Sequence, residues 1–89
     1  MSCRSEIREK VPYPELLAGL AEECAGLAGA ALNLRRVLSD PEQGEWEKTV
    51  DLYVKIADVY LYLSMLDLKM STISEIMTEK QRQWEESLK

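Results

Sequence analysis

The stretch WEKTVDLYVKIADVYLYLSMLDL, residues 46–68, decides the fold. Its apolar residues recur at steps of three and four, which is the spacing of an amphipathic helix. They form two series rather than one. The first series comprises Val50, Val54, Ala57, Leu61, Ser64 and Leu68, and the second series comprises Leu52, Ile56, Val59, Leu63 and Leu66. Two stripes predict a helix covered on two sides, at the centre of a bundle or between a bundle and a second subunit.

Three charged residues interrupt this apolar stretch. Asp51, Lys55 and Asp58 lie at positions i, i+4 and i+7, so they share one face of the helix. Burying a charged side chain costs free energy unless the charge is paired. This face is therefore the first candidate for a functional site.

The composition indicates one small domain. Of the 89 residues, 46% are hydrophobic and 30% are charged, a balance that argues against disorder. A core in a chain of this length is only marginally sufficient, so we expect an oligomer. The net charge of −5 makes nucleic acid an unfavourable partner. Because neither a membrane-spanning run nor a signal peptide is evident, we expect a cytoplasmic protein without a membrane partner.

The first 38 residues are predicted to form an arm and a long helix. Residues 1–12 have mixed charges and no apolar periodicity, which predicts a flexible arm with at most a short helical turn. Pro14 fits the first turn of a helix that runs to about Leu38. The expected core face of this helix is a row of apolar residues that we call the leucine seam: Leu16 or Leu17, Leu20, Cys24, Leu27, Ala31, Leu34 and Leu38.

A second face of the same helix is rich in glycine. This glycine face comprises Gly19, Glu22 or Glu23, Gly26, Gly29 or Ala30, and Asn33. Each glycine inside a helix costs about 1 kcal/mol relative to alanine. Three of them indicate either close packing of a second helix, which we favour, or room for a bulky group opposite.

A turn-rich break at residues 39–44 predicts that the helices on either side are antiparallel neighbours. If Leu38 meets Trp46, the numbers of opposed residues add to roughly 84. This register places Gly26 opposite Asp58, and Gly29 opposite Lys55.

A third helix is predicted to follow, with Ser71 or Thr72 as its N-cap. Its thin apolar edge comprises Ile73, Ile76, Met77, Trp84 and Leu88. The sequence thus predicts an all-α fold, in which an antiparallel two-helix hairpin and a C-terminal helix form a single domain over residues 13–89. This domain is expected to assemble into a helical-bundle oligomer.

The predicted register gathers carboxylates at one level of the hairpin. Glu22 and Glu23 lie within about one turn of Asp58 on the facing helix. Clustered carboxylates repel one another and attract a cation such as Mg²⁺, which binds oxygen ligands together with waters and substrate phosphates. Lys55 is an alternative cation, because it can reach Asp58, Asp51, or an acid across the gap that the glycines leave.

Several segments resemble the MazG-like nucleotide pyrophosphohydrolases: LAEECAGL at 20–27, AAL at 30–32, LRR at 34–36 and IADV at 56–59. The resemblance extends over residues 15–88. It implies an all-α fold with two acidic motifs, E-E-x-x-E on one helix and E-x-x-D on the next. These motifs bind Mg²⁺ and split nucleoside triphosphates into monophosphate and pyrophosphate. The resemblance also implies that Lys80 and Arg82 of the last helix approach the substrate phosphates.

Two of the five acidic positions differ from the family pattern. Glu22, Glu23 and Asp58 match it and form a possible remnant metal site. Gly26 stands where the third acid of the first motif is expected, and Lys55 replaces the acid that opens the second motif. Because an ammonium group repels a divalent cation at close range, these replacements imply a weakened or disabled metal site.

Three functions follow as hypotheses. The first is a MazG-like protein that binds a nucleotide or a protein partner with little or no catalysis. The second is an active pyrophosphohydrolase with Mg²⁺ as its cofactor, in which Asp51 or Glu47 replaces a missing acid. The third is a structural helical oligomerisation module. We expect a homodimer or a homotetramer, assembled through the uncovered stripe of the central helix.

The candidate residues also have purely structural interpretations. Glu22 and Glu23 can be a solvated pair on a helix surface. Lys55 can extend to solvent without a partner. Lys80 and Arg82 can belong to a solvated helix face.

Overall fold

The computed structural model describes residues 3–40 and 44–89, with side chains from residue 6 onward in the first segment. These residues form four helices, α1 (Cys3–Lys10), α2 (Tyr13–Leu38), α3 (Glu45–Met65) and α4 (Met70–Ser87). No strand occurs in either described segment, which confirms the predicted all-α class. None of the four helices has the length and apolar composition needed to cross a membrane. The oligomer stays a prediction.

Residues 3–10 form a helix where the sequence predicts an arm with at most a short turn. At its end the Val11 amide donates a hydrogen bond to the Ile7 carbonyl oxygen at 2.8 Å, and the extended Pro12 separates α1 from α2. Arg8 forms an ion pair with Asp67, in the connection that follows α3. Because α1 lacks apolar periodicity and packs on α3, its helix depends on tertiary contacts that a local pattern does not reveal.

The predicted antiparallel hairpin is formed by α2 and α3. The Tyr62 ring lies against Gly19, and the Lys55 side chain lies against Gly26 further along the hairpin. Helix α3 begins after Gly44, whose φ of 81° is in the left-handed region that favours glycine. Residues 41–43 of the predicted turn lie outside the described residues.

The register of the hairpin differs from the predicted one. The opposed pairs Gly19–Tyr62 and Gly26–Lys55 have residue numbers that add to 81. The predicted sum is roughly 84, so α3 is displaced by nearly one helical turn. Gly26 therefore faces Lys55 rather than Asp58.

Packing at both ends of the hairpin explains the displacement. The predicted register requires Leu38 to meet Trp46, but these side chains are 57% and 67% exposed. At the other end, the Tyr62 ring fills the space that the absent side chain of Gly19 leaves. Gly29 is correspondingly not opposite Lys55, because no atom lies within 4 Å of the position that its Cβ would take.

Helix α2 packs on α3 through its glycine face, not through the leucine seam expected to form the core. Gly19 and Ala30 of the glycine face are buried. In the seam, Cys24, Ala31 and Leu38 are exposed, whereas Leu16 is buried in the main hydrophobic cluster and Leu20 packs against that cluster. The expected core face is therefore present at the N-terminal end of α2 only, and further along the helix the small side chains allow the two helices to approach more closely.

Helix α3 is covered on one side within this chain. Its second series is half-buried or buried throughout, whereas all of the first series except Leu68 is exposed. The main hydrophobic cluster comprises Leu16, Met65 and Leu66. Ala30 and Val37 are the only other hydrophobic residues buried in the described part of the chain. The predicted two-sided cover of the central helix is therefore not supplied by the chain's own described helices.

The predicted C-terminal helix is present but begins earlier and packs less than expected. Helix α4 starts at Met70, with Lys69 rather than Ser71 or Thr72 at its N-cap and without a side-chain capping hydrogen bond. None of its residues is buried, and only Ile73 is half-buried. Its apolar edge is largely uncovered, because Ile76, Met77, Trp84 and Leu88 are between 50% and 75% exposed.

Candidate functional site

The two departures from the acidic pattern contact each other across the hairpin. A Cβ atom on Gly26 would lie 3.3 Å from Cδ and Cε of Lys55 and 3.4 Å from its Nζ. The lysine stem therefore crosses α2 where α2 has no side chain. Lys55 and Gly26 form a complementary pair, since a larger residue at position 26 requires the lysine to shift.

The ammonium group of Lys55 lies beside the carboxylate of Glu23. Its Nζ lies 4.0 Å from Glu23 Oε2, and the two side chains are 41% and 26% exposed. The Oε2 atom itself is buried and has no hydrogen-bond partner among the described residues. The contact is thus an ion pair without a hydrogen bond, and it places the Lys55 ammonium group against an acid of the first motif.

The other acids of α3 are not part of this contact. Asp51 pairs with Lys48 at 4.0 Å between Oδ2 and Nζ, and its side chain is 62% exposed. Asp58 is half-buried one turn beyond Lys55. The sequence allows Lys55 to pair with Asp58, with Asp51 or with an acid across the glycine gap. The structure contains the last of these contacts, with Glu23 as the partner.

The matching acids are not gathered into a metal centre. Glu22 is exposed, whereas Glu23 and Asp58 are half-buried. Within residues 3–40 and 44–89, no group of three or more cysteine, aspartate or glutamate side chains is arranged to hold a metal ion. The register does not separate Glu23 from Asp58, because their residue numbers also add to 81, but the positive charge beside Glu23 belongs to Lys55.

An open groove of about 340 Å³ runs beside the Lys55 contact. It is lined by Gly26, Gly29, Ala30, Asn33, Asp51, Val54 and Lys55. A second depression shares Asn33 and continues towards the loop end of the hairpin, where it is lined also by Arg36, Val37, Asp40 and Lys48. The Arg36 guanidinium donates a hydrogen bond of 2.6 Å to Asn33 Oδ1. Together the two depressions place three cations, one amide and the carboxylates of Asp40 and Asp51 along one side of the hairpin.

The role of Lys48 in this groove was missed by the sequence analysis, although a signal for it exists. Lys48 precedes Lys55 by seven residues, so the two side chains share one face of α3. Arg36 has no such signal, because its proximity to Lys48 depends on the register of the hairpin.

Lys80 and Arg82, the residues that the resemblance assigns to substrate phosphates, are both exposed on α4 and do not line the groove. Arg82 donates two hydrogen bonds to Glu79, of 2.7 and 3.1 Å. The guanidinium lowers the pKa of the Glu79 carboxyl, and the carboxylate raises the pKa of Arg82. The charge of Arg82 is therefore already paired along its own helix.

Comparison of the chain with models of protein families, with curated proteins and with solved structures finds no match.

Proposed function

We propose that this chain is a MazG-like helical protein that binds a nucleotide without a divalent metal and does not hydrolyse it. The observation that carries the proposal is the position of Lys55, which lies along Gly26 with Nζ 4.0 Å from Glu23 Oε2. In this proposal the ammonium group takes the place that a divalent cation has in the related enzymes. The positive charge is then covalently part of the protein.

Electrostatics supports the loss of metal binding. Mg²⁺ requires several oxygen ligands at about 2.1 Å, and two of the five carboxylates of the family pattern are replaced here. A lysine within reach of the remaining acids repels the ion. Replacing an acid by a cation therefore weakens the site more than removing the acid does.

The groove beside Lys55 supports the binding of an anion. Arg36 and Lys48 lie between Lys55 and the loop end, and Asn33 offers an amide between them. Lys55 and Lys48 are each 4.0 Å from a carboxylate oxygen, of Glu23 and Asp51 respectively, so an anion would compete with these acids for the two ammonium groups. Arginine and lysine are the usual phosphate ligands of proteins. Asp51 lines the same groove and opposes an anion, which limits the expected affinity.

The proposal is tested by assays with and without metal. We expect that nucleoside triphosphates raise the thermal midpoint in the absence of Mg²⁺, that calorimetry detects no Mg²⁺ or Mn²⁺ binding, and that no pyrophosphate is released. Pyrophosphate release together with metal binding would instead support an active enzyme that uses Asp51 or Glu47. If no nucleotide raises the thermal midpoint, the proposal that this chain binds a nucleotide is wrong.

A double variant that restores an acid at positions 26 and 55 tests directly whether these two residues cause the loss of metal binding. Changing Gly26→Glu together with Lys55→Glu restores the acidic pattern, and we expect measurable Mg²⁺ binding by calorimetry. The control is Ala28→Glu with Lys80→Glu, which makes the same change in charge at two exposed positions that do not line the groove and should bind no metal. If the two double variants bind Mg²⁺ equally, positions 26 and 55 do not determine the loss of the metal site.

A second candidate is a structural oligomerisation module. It is favoured by the large share of the surface that is apolar, since side chains such as Tyr53, Tyr60 and Leu61 are 59%, 68% and 48% exposed. Exposed apolar patches usually mark interaction surfaces.

A further inference from the structure

A small cavity lies at the end of the hairpin where α1 packs on α3. Its volume is about 160 Å³. Leu16 and Met65, each only 3% exposed, form its inner wall, whereas Ile7 and Leu61 are 38% and 48% exposed and leave it open to solvent. Val11 completes the apolar lining, so three helices contribute to the cavity.

The volume and the lining of the cavity limit the size of a ligand. An apolar cavity of about 150 Å³ can hold a benzene molecule, whereas pockets for drug-sized ligands begin at about 300 Å³. A cavity of about 160 Å³ therefore accommodates one ring or one branched alkyl group and is too small for a nucleotide. Because the cavity is open at Ile7 and Leu61, such a group can enter without unfolding of the chain.

Two polar side chains also line the cavity, the carboxylate of Glu15 and the phenol of Tyr62. The Glu15 side chain is exposed and has neither an ion pair nor a hydrogen bond among the described residues. The Tyr62 hydroxyl likewise has no hydrogen-bond partner in the described part of the chain. A carboxylate only accepts hydrogen bonds, and its strongest partners are cationic donors.

The geometry of α2 brings these two polar groups to the same end of the cavity. The Tyr62 ring lies against Gly19, where a Cβ atom would be 2.6 Å from the hydroxyl oxygen. Glu15 precedes Gly19 by four residues, which is about one helical turn on the same face of α2. A ligand whose apolar body fills the cavity thus has a carboxylate and a phenol beside its polar end.

The charges around the cavity favour a cationic ligand. A neighbouring depression shares part of the apolar lining and is lined also by Arg8, Glu9 and Asp67. Arg8 is paired with Asp67, and Lys10 lines neither the cavity nor this depression. The lining is therefore net negative, since Glu9 and Glu15 have no cation of their own there. Such a surface attracts an ammonium group and repels carboxylates and phosphates.

We infer that this cavity binds a small monoamine with a compact apolar body, such as a benzyl or branched alkyl group. The body fills the space between α1 and α3. The ammonium group pairs with the Glu15 carboxylate and donates a hydrogen bond to the Tyr62 hydroxyl oxygen. The inference is independent of the proposed function, since the cavity shares no lining residue with the two depressions beside Lys55.

A titration of the full chain with benzylamine tests the inference. NMR chemical shifts of the methyl groups of Ile7, Leu61 and Met65 report on the cavity itself. We expect saturable shifts with a dissociation constant on the order of 1 mM. Benzyl alcohol has nearly the same shape without the charge, and it should bind about tenfold more weakly.

Two acid-to-amide variants separate the effect of the charge from that of the cavity. Glu15→Gln should weaken benzylamine binding about tenfold and leave benzyl alcohol binding unchanged. Retained binding of the alcohol also shows that the variant is folded with its cavity intact. The control is Glu6→Gln, which removes an exposed acid of α1 that does not line the cavity and should alter neither affinity.

Three results would overturn the inference. They are the absence of saturable shifts at the three methyl groups, equal affinities of the unaltered chain for benzylamine and benzyl alcohol, and benzylamine binding that Glu15→Gln does not weaken. The second result would assign the cavity to neutral apolar molecules instead.

Discussion

At the scale of single residues, the three glycines of α2 have different surroundings. Gly19 lies under the Tyr62 ring, and Gly26 lies under the stem of Lys55. Gly29 has open space where its side chain would be. Only the first two therefore serve close packing, although all three belong to the glycine face of the sequence.

This difference predicts opposite effects of one substitution. Gly29→Ala should raise the free energy of unfolding by about 1 kcal/mol, because alanine favours the helix and meets no neighbour. Gly19→Ala should lower it by about 1–3 kcal/mol, since the new Cβ would lie 2.6 Å from the Tyr62 hydroxyl oxygen. Chemical denaturation measures both. Equal effects at the two positions would show that the Tyr62 contact does not constrain position 19.

The Lys55–Glu23 ion pair shows what the sequence can predict about a site. The contact of Lys55 with an acid of α2 can be predicted from residue types alone, because a long cationic side chain opposite a glycine has space to reach an acid. The partner acid cannot be predicted, since Glu22 and Glu23 are neighbours and the choice depends on how α2 is rotated against α3. The groove is likewise a property of the register, which joins Arg36 to Lys48.

At the scale of elements, the length of α2 follows closely from apolar periodicity, but the C-terminal end of α3 does not. The prediction for α2 differs from the structure by about one residue, whereas α3 ends at Met65 although the apolar stretch that predicts it runs to Leu68. The reason is that Leu66 leaves the helix with an extended backbone and is buried with Leu16. Leu66 fits the helical spacing of the apolar residues before it. The sequence pattern therefore cannot show whether Leu66 continues the helix or leaves it and packs in the core.

The ion pair on α4 predicts a pH dependence. Arg82 lowers the pKa of Glu79 below its ordinary value of 4.5, so the folded helix favours the ionised carboxylate. The resulting stabilisation is present above the ordinary pKa and is lost as the pH falls through the lowered pKa. We expect a side-chain NMR titration to give a depressed pKa for Glu79. Arg82→Gln should move it back towards 4.5, and an unchanged value in that variant would contradict the assignment.

At the scale of the whole molecule, α4 contributes little to the hydrophobic core. It has no buried residue, and residues 66–69 connect it to the hairpin. A chain that ends at Lys69 should therefore keep nearly the same thermal midpoint while losing the helical signal of α4. Leu16→Ala should instead cost about 2–5 kcal/mol, because it opens a cavity in the main cluster. A large loss of stability on truncation would show that α4 packs more firmly than its exposure indicates.

The all-α class and the antiparallel hairpin could be predicted, but the register and the faces through which its two helices pack could not. Helix α2 has two faces that are suited to packing, and the sequence alone favours the one with larger side chains. Close approach at Gly19 and Gly26 selects the other face. The choice leaves the leucines at the edge of the hairpin, so the sequence analysis assigned to one chain a surface that a single chain does not cover.

The homodimer or homotetramer expected from the sequence predicts that dilution lowers the stability of the fold, because few side chains are buried within one chain. The law of mass action requires that a folded dimer in equilibrium with unfolded monomers melts at a lower temperature as the solution is diluted. Because only five hydrophobic residues of the described part of the chain are buried, we expect calorimetry to show a melting temperature that rises with the protein concentration.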